Sequence, residues 1–308
     1  MTNQNVENFQ KFILNWHARY GRHDLPWRTN YDPYHILVSE VMLQQTQVGR
    51  VIPKFTNFLQ LFPDFASLAN ASPSEIITAW QGLGYNRRGL FLQKTAQAIV
   101  ANHQGSMPKT LPELLNLPGV GPYTASAIMA FAFNQPVTVI ETNIRSIFLY
   151  HFFADGITDE IESKTAGSAK TDINHKISDS DLIPLITKTI YTKNPRLWYS
   201  ALMDYGSYLK SVMPNPSRKS KQHVKQSKFV GSFRQLRGSI LRSLTERDHS
   251  FLTLAESVPS IFDQNKVQLA LDQLVKEGFI SVRTTTAKKS ESSSAIKTNH
   301  YSLKENHD

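Results

Sequence analysis

Leu117-Pro118-Gly119-Val120-Gly121, followed by Pro122-Tyr123-Thr124-Ala125, is the stretch that decides the fold. We predict a helix before it and another after it, which makes it a tight hairpin between two helices. Glycines at 119 and 121 allow the turn and let backbone N–H groups approach a phosphate, aided by the dipole of the following helix. An ordinary helical hairpin is the alternative. The spacing followed by Tyr-Thr-Ala favours a contact with a nucleic-acid backbone that reads no base sequence.

Composition points the same way. The chain has 308 residues, a net charge of +9 and a pI near 9.5, which favours a polyanionic partner, nucleic acid first and an anionic membrane surface second. No run of 18 apolar residues and no signal peptide is present, so we expect a soluble, cytoplasmic protein associated with the nucleoid. With no cysteine, the chain cannot form disulfides, a catalytic thiolate or a cysteine-ligated zinc or iron–sulfur site.

Apolar residues at three- and four-residue steps predict an all-helical chain through about residue 150. Residues 155–181 are predicted to be an exposed insertion, which is either functional or disordered, and we expect disorder. Helical patterning resumes over 182–191 and 198–209. The basic run 214–228 that follows is interpreted either as a solvated linker or as a segment that follows a phosphate backbone.

A second unit begins near residue 230. Helical patterns over 233–244, 251–257 and 263–276 precede a predicted hairpin of 279–282 with 301–303, and this layout resembles a winged-helix domain. The unit carries eleven basic and nine acidic residues, so the basic surface is predicted to lie mainly on residues 1–229. Such a unit is expected to contact either protein or DNA.

Two carboxylates stand out. Glu40, within Ser39-Glu40-Val41-Met42-Leu43-Gln44-Gln45-Thr46-Gln47, lies in an otherwise apolar run, where the pKa of its carboxyl should rise and make it a proton donor. Glu141 stands at an apparent helix start, where the dipole favours the anion. One neutral and one ionised carboxyl suit cleavage of a glycosidic bond through an oxocarbenium-like transition state. The alternatives are a surface glutamate at position 40 and a plain helix-capping acid at position 141.

Four motifs carry a resemblance that covers about residues 8–210: D-P-Y-H-I-L-V-S-E-V-M-L-Q-Q-T-Q-V, W-Q-G-L-G-Y, L-P-G-V-G-P-Y-T-A and A-L-M-D-Y-G. In this order they resemble the mismatch-specific adenine DNA glycosylases of the helix-hairpin-helix superfamily, beside endonuclease III and the thymine mismatch glycosylases. The resemblance implies a mainly α, two-lobed fold for residues 1–229, with one lobe of about 30–138 and the other of 1–29 plus 139–229. The winged-helix-like α+β domain would span 230–308.

The resemblance also implies roles for single residues. Glu40 matches the glutamate that protonates the adenine and activates water. Glu141 occupies the position of an aspartate that stabilises the sugar cation, and Asn143 matches a polar partner of these two acids. Tyr123 stands where lyase-competent relatives carry a nucleophilic lysine, which implies a monofunctional enzyme. Arg28 and Asp204 match positions that line the adenine pocket. Gln44, Gln45 and Tyr85 match substrate contacts, of which Gln44 and Tyr85 wedge into the duplex. The hairpin residues expected to contact the DNA backbone are Leu117, Gly119, Val120 and Gly121.

Three departures from the family pattern are visible. Glu141 replaces an aspartate, and one extra methylene predicts weakened or rearranged catalysis. The family's usual four cysteines for an iron–sulfur cluster are absent, so no cofactor is expected, although the 117–121 hairpin is a candidate site for a structural monovalent cation. The C-terminal Nudix-like domain that reads 8-oxoguanine has no counterpart.

The sequence therefore predicts a monomeric DNA glycosylase that binds mismatched double-stranded DNA and removes adenine opposite guanine or 8-oxoguanine. Two alternatives stay open at this stage. One is a thymine or uracil mismatch glycosylase, and the other is a non-catalytic protein that binds mismatches or damage.

Overall fold

The structure is a computed structural model that describes residues 1–153, 176–224, 228–288 and 295–305. Most of the predicted 155–181 insertion lies outside these ranges. None of the described helices is long and apolar enough to cross a lipid bilayer.

The described chain is mainly helical. The helices are α1 (Asn3–Tyr20), α2 (Pro26–Thr29), α3 (Pro33–Leu43), α4 (Val48–Leu61), α5 (Phe65–Asn70), α6 (Pro73–Ala79), α7 (Arg87–His103), α8 (Leu111–Leu115), α9 (Pro122–Phe131), α10 (Thr142–Phe152), α11 (Asp179–Lys188), α12 (Pro195–Val212), α13 (Phe233–Glu246), α14 (Phe251–Ser257) and α15 (Gln264–Lys276). A short 3₁₀ turn follows α12 at Pro216–Lys219, and the strands are β1 (His249–Ser250), β2 (Ile280–Lys288) and β3 (Ala295–Leu303). The prediction of a mainly α chain ending in a small α+β unit is confirmed.

Local signals in the sequence set several helix boundaries. The Ser72 hydroxyl and the Glu75 carboxylate form a capping box at the start of α6, where Pro73 occupies the first turn. Gly21 ends α1, with its N–H bonded to the carbonyl of His17. Leu25 is the N-cap of the four-residue helix α2, which begins at Pro26 because proline at the first helical position fixes a helical φ.

The chain divides into two compact units. One comprises residues 1–37, 108–116 and 120–225, and the other 38–107, 117–119 and 226–308. This division differs from the predicted boundaries because α9 packs on α12 and α8, while α13 of the C-terminal segment packs on α6. The proposal that 230–308 is a separate domain stays a prediction.

In the first unit, α12 is the central helix. It packs against α1, α9 and α10 and buries its Trp198, Tyr199, Leu202 and Leu209 almost completely. Phe9 of α1 makes edge-to-face contacts with Trp198, at 5.8 Å between ring centroids, and with Phe148 of α10, at 5.7 Å. Such contacts add to the hydrophobic free energy of burying the rings. The packed core fixes the ends of α10 and α12 that carry predicted site residues.

His151 of α10 is embedded in this aromatic core. Its ring lies 5.5 Å from Phe9 and 5.7 Å from Phe12, and its Nε2 is 3.2 Å from the hydroxyl of Tyr205. Burial lowers the pKa of His151 to about 4. The imidazole is therefore neutral in the folded chain at neutral pH.

This gives a prediction about stability. Because the folded pKa lies below the unfolded value of about 6.5, the contribution of neutral His151 is complete above pH 6.5 and is lost as the pH falls towards 4. We expect the free energy of unfolding to fall by about 2 kcal/mol more between pH 7 and pH 5 in the unsubstituted protein than in His151→Gln. Urea denaturation at both pH values measures this difference, and equal slopes for the two proteins would contradict the prediction.

The second unit ends in the predicted winged-helix-like layout. Three helices precede an antiparallel hairpin in which Ile280 pairs with Leu303 and Val282 with Tyr301, and β1 adds to the other edge of β3. The pairing predicted between 279–282 and 301–303 is thus confirmed, and the strands extend further than predicted. Beyond the packing of α13 on α6, the backbone N–H of Ser74 donates to the carbonyl of Lys304 at 3.1 Å. These contacts join the C-terminal segment to residues 38–107.

Candidate active site

Glu40 lies on a deeply buried helix, α3. Ile36, Leu37, Val38 and Met42 of α3 are each at most 3% exposed, and Glu40 itself is 6% exposed. The apolar run seen in the sequence is therefore a buried helix, and the surface alternative for Glu40 is wrong. The proton-donor role of Glu40 stays a prediction.

Two turns near α3 carry the predicted wedge residues Gln44 and Tyr85 and the predicted substrate contact Gln45. Gln45 has φ 54° and Tyr85 has φ 48°, both in the left-handed region that non-glycine residues rarely occupy. Backbone of this kind costs about 1–3 kcal/mol per residue and persists only when its surroundings hold it. The feature that holds it here is an arginine.

Arg88, at the start of α7, binds both turns through its guanidinium group. It donates to the carbonyls of Val41, Met42 and Gln44 at 2.5, 3.1 and 2.7 Å on one side. On the other it donates to the carbonyls of Leu83 and Gly84 at 3.3 and 3.0 Å. Burial lowers the pKa of Arg88 to about 10, so the group stays charged at neutral pH.

We expect Arg88→Lys to lower the free energy of unfolding by about 2–4 kcal/mol, because an ammonium group cannot reach acceptors in both turns. Urea denaturation gives the value. The matched control is the adjacent, exposed Arg87→Lys, which should change stability by no more than about 0.5 kcal/mol. Equal effects of the two substitutions would contradict the role given to Arg88.

The 117–121 hairpin has the geometry that its sequence predicts. Leu117 and Val120 are buried at 5% and 6% exposure, whereas Gly119 and Gly121 are exposed. Gly119 has φ 78°, and a Cβ there would lie 2.8 Å from Cβ of Phe91, so only glycine fits. The Thr95 hydroxyl donates to the carbonyl of Pro118 at 2.6 Å. The turn therefore presents backbone, and it leads into α9, where Gly121 is the N-cap and Tyr123 lies in the first turn.

Glu141 is the N-cap of α10. Its Oε1 accepts the N–H of Ile144 at 2.9 Å, and its Oε2 accepts from Nδ2 of Asn143 at 3.1 Å. The predicted helix-start position is confirmed. Both carboxylate oxygens therefore accept hydrogen bonds. Lys210 of α12 is electrostatically coupled to the same carboxylate: burial lowers the pKa of Lys210, and Glu141 opposes that shift.

Helix α12 positions the Glu141 segment in two ways. The hydroxyl of Tyr199 donates to the carbonyl of Val137 at 2.7 Å and accepts the N–H of Val139 at 3.2 Å, and burial raises the pKa of Tyr199 to about 12. At Gly206, a Cβ would stand 2.3 Å from the backbone oxygen of Asn143, so glycine is required for the close crossing of α12 and α10.

Asp204 is the centre of a buried charge cluster in the first unit. The carboxylate is 3% exposed and accepts from the guanidinium of Arg28 at 2.7 and 3.0 Å and from that of Arg22 at 2.5 and 2.8 Å. Nε2 of His17 lies 3.4 Å from it. Burial raises the pKa of Asp204, but hydrogen bonds from His17 and Arg28 and the charge of Arg28 outweigh it and hold the pKa well below its usual range.

The predicted site residues therefore form separate groups. Arg28 and Asp204 contact each other directly, and Glu141 contacts Asn143. Glu40, Gln44, Gln45 and Tyr85 belong to the second unit, and the hairpin is divided between the two units. A joint action of Glu40 and Glu141 stays a prediction.

Sequence reasoning missed the residues that hold these groups in place: Arg22, His17, Arg88, Tyr199 and Gly206. The Y-N-R-R-G-L string after the W-Q-G-L-G-Y motif was the available signal for Arg88. Among the described residues, no group of three His, Asp or Glu side chains could hold a metal ion. The monovalent cation at the hairpin stays a prediction.

Comparisons with known proteins identify the fold and the family. The model of the HhH-GPD superfamily of base excision DNA repair proteins matches residues 38–170. A solved thermostable thymine-DNA glycosylase aligns with a TM-score of 0.57 and 24% identity, covering 71% of this chain and 94% of that one. An endonuclease III in a non-covalent DNA complex aligns with a TM-score of 0.54 and 17% identity, covering 70% and 90%. The fold is thus that of the helix-hairpin-helix base excision repair proteins.

Relatives by sequence narrow this class. The adenine DNA glycosylase of Mycolicibacterium smegmatis is 30% identical over 281 residues, which is 87% of this chain and 91% of that protein. The chain belongs to the adenine DNA glycosylase family. The namesake from Buchnera aphidicola subsp. Baizongia pistaciae is 38% identical over 47% of this chain, and that from Rattus norvegicus is 44% identical over 45%. The matches span 41% and 28% of those two proteins.

Proposed function

We propose that this protein is a monofunctional DNA glycosylase that acts as a monomer on duplex DNA and hydrolyses the N-glycosidic bond of adenine mispaired with guanine or 8-oxoguanine. The observation that carries the proposal is the similarity to the Mycolicibacterium smegmatis adenine DNA glycosylase along almost the whole of both chains. The burial of Glu40 on an apolar helix and the N-cap position of Glu141 support it, because the proposed reaction uses two carboxyl groups in different surroundings.

In the proposed reaction, the protonated carboxyl of Glu40 donates its proton to a ring nitrogen of adenine while the bond from the base to C1′ breaks. The electron pair of that bond leaves with the base, and the sugar becomes an oxocarbenium-like cation. The carboxylate of Glu141 stabilises this cation. Water then adds to C1′, and its proton passes to the carboxylate of Glu40, which restores the enzyme.

The other residues bind and position the substrate. Arg28 and Asp204 line the pocket for the extruded adenine. Gln44 and Tyr85 fill the gap left in the duplex, which lowers the cost of unstacking the base, and Gln45 contacts the substrate beside them. Asn143 and Tyr123 hold the catalytic carboxylates. A tyrosine at position 123 cannot form a Schiff base with the sugar, so the reaction ends at the abasic site.

A thymine or uracil mismatch glycosylase is the second candidate, and a non-catalytic mismatch-binding protein the third. A single assay separates all three. The protein is incubated with duplexes holding A:8-oxoG, A:G, T:G or U:G pairs, and abasic sites are then cleaved with alkali. Strand breaks at adenine alone support the proposal, breaks at T:G or U:G support the second candidate, and tight binding without breaks supports the third.

Position 141 gives a directional prediction. We expect Glu141→Asp to retain or raise the rate of adenine excision, because aspartate is the family's residue and is also among the best N-cap residues. Any gain is limited to about 10²-fold, the size of effect that a displacement of about 1 Å produces. Single-turnover excision measures the rate, and Glu141→Gln, which removes the charge, is the matched control. Complete loss in Glu141→Asp would contradict the assigned role.

A further inference from the structure

A cleft of about 810 Å³ lies wholly within the second unit. Residues 81–88 with Phe91, together with Gln44, Gln45 and Arg50, form one wall. Helix α13 of the C-terminal segment and the preceding Phe229 form the other. The volume is sufficient for more than one nucleotide. The proposed chemistry assigns no role to α13.

The cleft is strongly cationic. Its lining includes Arg50, Arg87, Arg88, Arg234, Arg237 and Arg242. The one carboxylate in the lining, that of Glu277, is bound by the guanidinium of Arg237 at 2.8 and 3.0 Å. Arg50, Arg87 and Arg242 are exposed. A surplus of accessible guanidinium groups suits phosphate oxygens, which accept two parallel N–H donors from one arginine.

Aromatic rings alternate with these guanidinium groups. Arg234 lies over Tyr85 at 5.1 Å and over Phe229 at 5.6 Å, and Arg87 lies over Phe91 at 5.1 Å. Phe229 is 55% exposed. Rings and guanidinium planes of this kind are the surfaces on which bases of a nucleic-acid strand stack. The ligand that this lining fits is therefore a nucleotide chain.

Helix α13 is better suited to this ligand than α15, the other long helix of the C-terminal segment. Helix α13 carries three arginines and one acid, whereas Lys266 of α15 is paired with Asp263 at 3.3 Å, and Asp272 lies on the same helix. The surface of α15 is therefore of mixed charge. Arg234 also donates a hydrogen bond to the hydroxyl of Tyr85, so α13 is tied to the turn predicted to enter the duplex.

We propose that the C-terminal segment binds a DNA strand through its first helix, α13, with the phosphates held by Arg242, Arg234 and Arg50 across the cleft. The inference rests on the proposed function for the identity of the polyanion. The inference adds to the proposed function a second DNA-binding element, the C-terminal segment, beside the 117–121 hairpin.

The test is the salt dependence of DNA binding by the full chain. Affinity for a fully paired duplex and for an A:8-oxoG duplex is measured by fluorescence anisotropy over a range of salt concentrations. Arg242→Gln and Arg50→Gln are each expected to weaken both affinities about three- to tenfold and to reduce the salt slope by about 0.9, the value for one lost phosphate contact. The matched control is Arg247→Gln, exposed at the end of α13 and outside the cleft lining, which should change affinity by less than about twofold.

Other outcomes overturn the inference. Unchanged salt slopes in both cleft variants, with the unsubstituted protein binding and excising normally, would refute the α13 anchor and leave the proposed function standing. Failure of the unsubstituted protein to bind any duplex would refute both. A parallel titration with dAMP and with ATP tests whether the cleft binds a free nucleotide. Binding of either that Arg242→Gln abolishes, with DNA affinity unaltered, would assign the cleft to a free nucleotide and overturn the DNA assignment.

Discussion

Glu40→Gln is expected to lower the single-turnover rate of adenine excision by at least about 10³-fold while leaving affinity for the mismatched duplex within about twofold. The amide has the shape of the protonated carboxyl but cannot deliver a proton to the leaving base or take one from water. Proton transfer of this kind contributes about 10²–10⁴-fold, and both steps depend on the same residue. Single-turnover excision from an A:8-oxoG duplex and anisotropy with the same duplex measure the two quantities.

The stability of Glu40→Gln decides how a loss of activity is interpreted. Glu40 is 6% exposed on an apolar helix, and its neutral isostere should change the free energy of unfolding by less than about 1 kcal/mol. The control is Glu246→Gln, an exposed glutamate at the end of α13, which should leave rate and stability unchanged. Excision by Glu40→Gln at the normal rate would refute the catalytic role. A loss of several kcal/mol in stability would make that role structural.

Local chemistry explains why so much of the fold could be predicted. The capping box of Ser72 and Glu75, the N-cap position of Glu141 and the glycine turn at 119 are each determined by residues within a few positions. The C-terminal hairpin is similar, because alternating residues and a polar connection specify it. The nearly continuous apolar run around position 40 indicates a buried segment, and Glu40 does lie on a buried helix.

What the sequence did not reveal depends on contacts between distant residues. Arg88 binds backbone carbonyls in residues 41–44 and in residues 83 and 84. Because every residue has a backbone carbonyl, the sequence does not show which of them accept hydrogen bonds from Arg88. The same holds for Gly206, whose requirement is set by the backbone of Asn143. The packing of α13 on α6 was also not predicted. In addition, the charge balance predicted that the basic surface lies mainly on residues 1–229, whereas the arginines of α13 line the cleft.

Asp204→Asn is expected to lower the free energy of unfolding by about 3–5 kcal/mol at pH 7, and to reduce adenine excision as a consequence. The carboxylate is 3% exposed and serves two arginines, so its neutral replacement leaves Arg28, with a side chain 12% exposed, without its counter-charge. Removing one partner of a buried ion pair costs this much because the other charge stays buried. Urea denaturation gives the value. The comparison is Asp179→Asn, whose ion pair with Arg145 is less buried, at 22% and 18% exposure, and should therefore cost less than Asp204→Asn.

The pH dependence tests whether charge is the cause. The folded pKa of Asp204 lies well below its unfolded value of 3.8, so the stabilisation by its carboxylate is complete above about pH 4 and is lost as the pH falls below 3.8 towards the folded pKa. The difference in unfolding free energy between the unsubstituted protein and Asp204→Asn should therefore be constant from pH 7 to about pH 5 and shrink below pH 4. A difference that is the same at pH 3 and pH 7 would show that packing, and not the charge of Asp204, stabilises this part of the first unit.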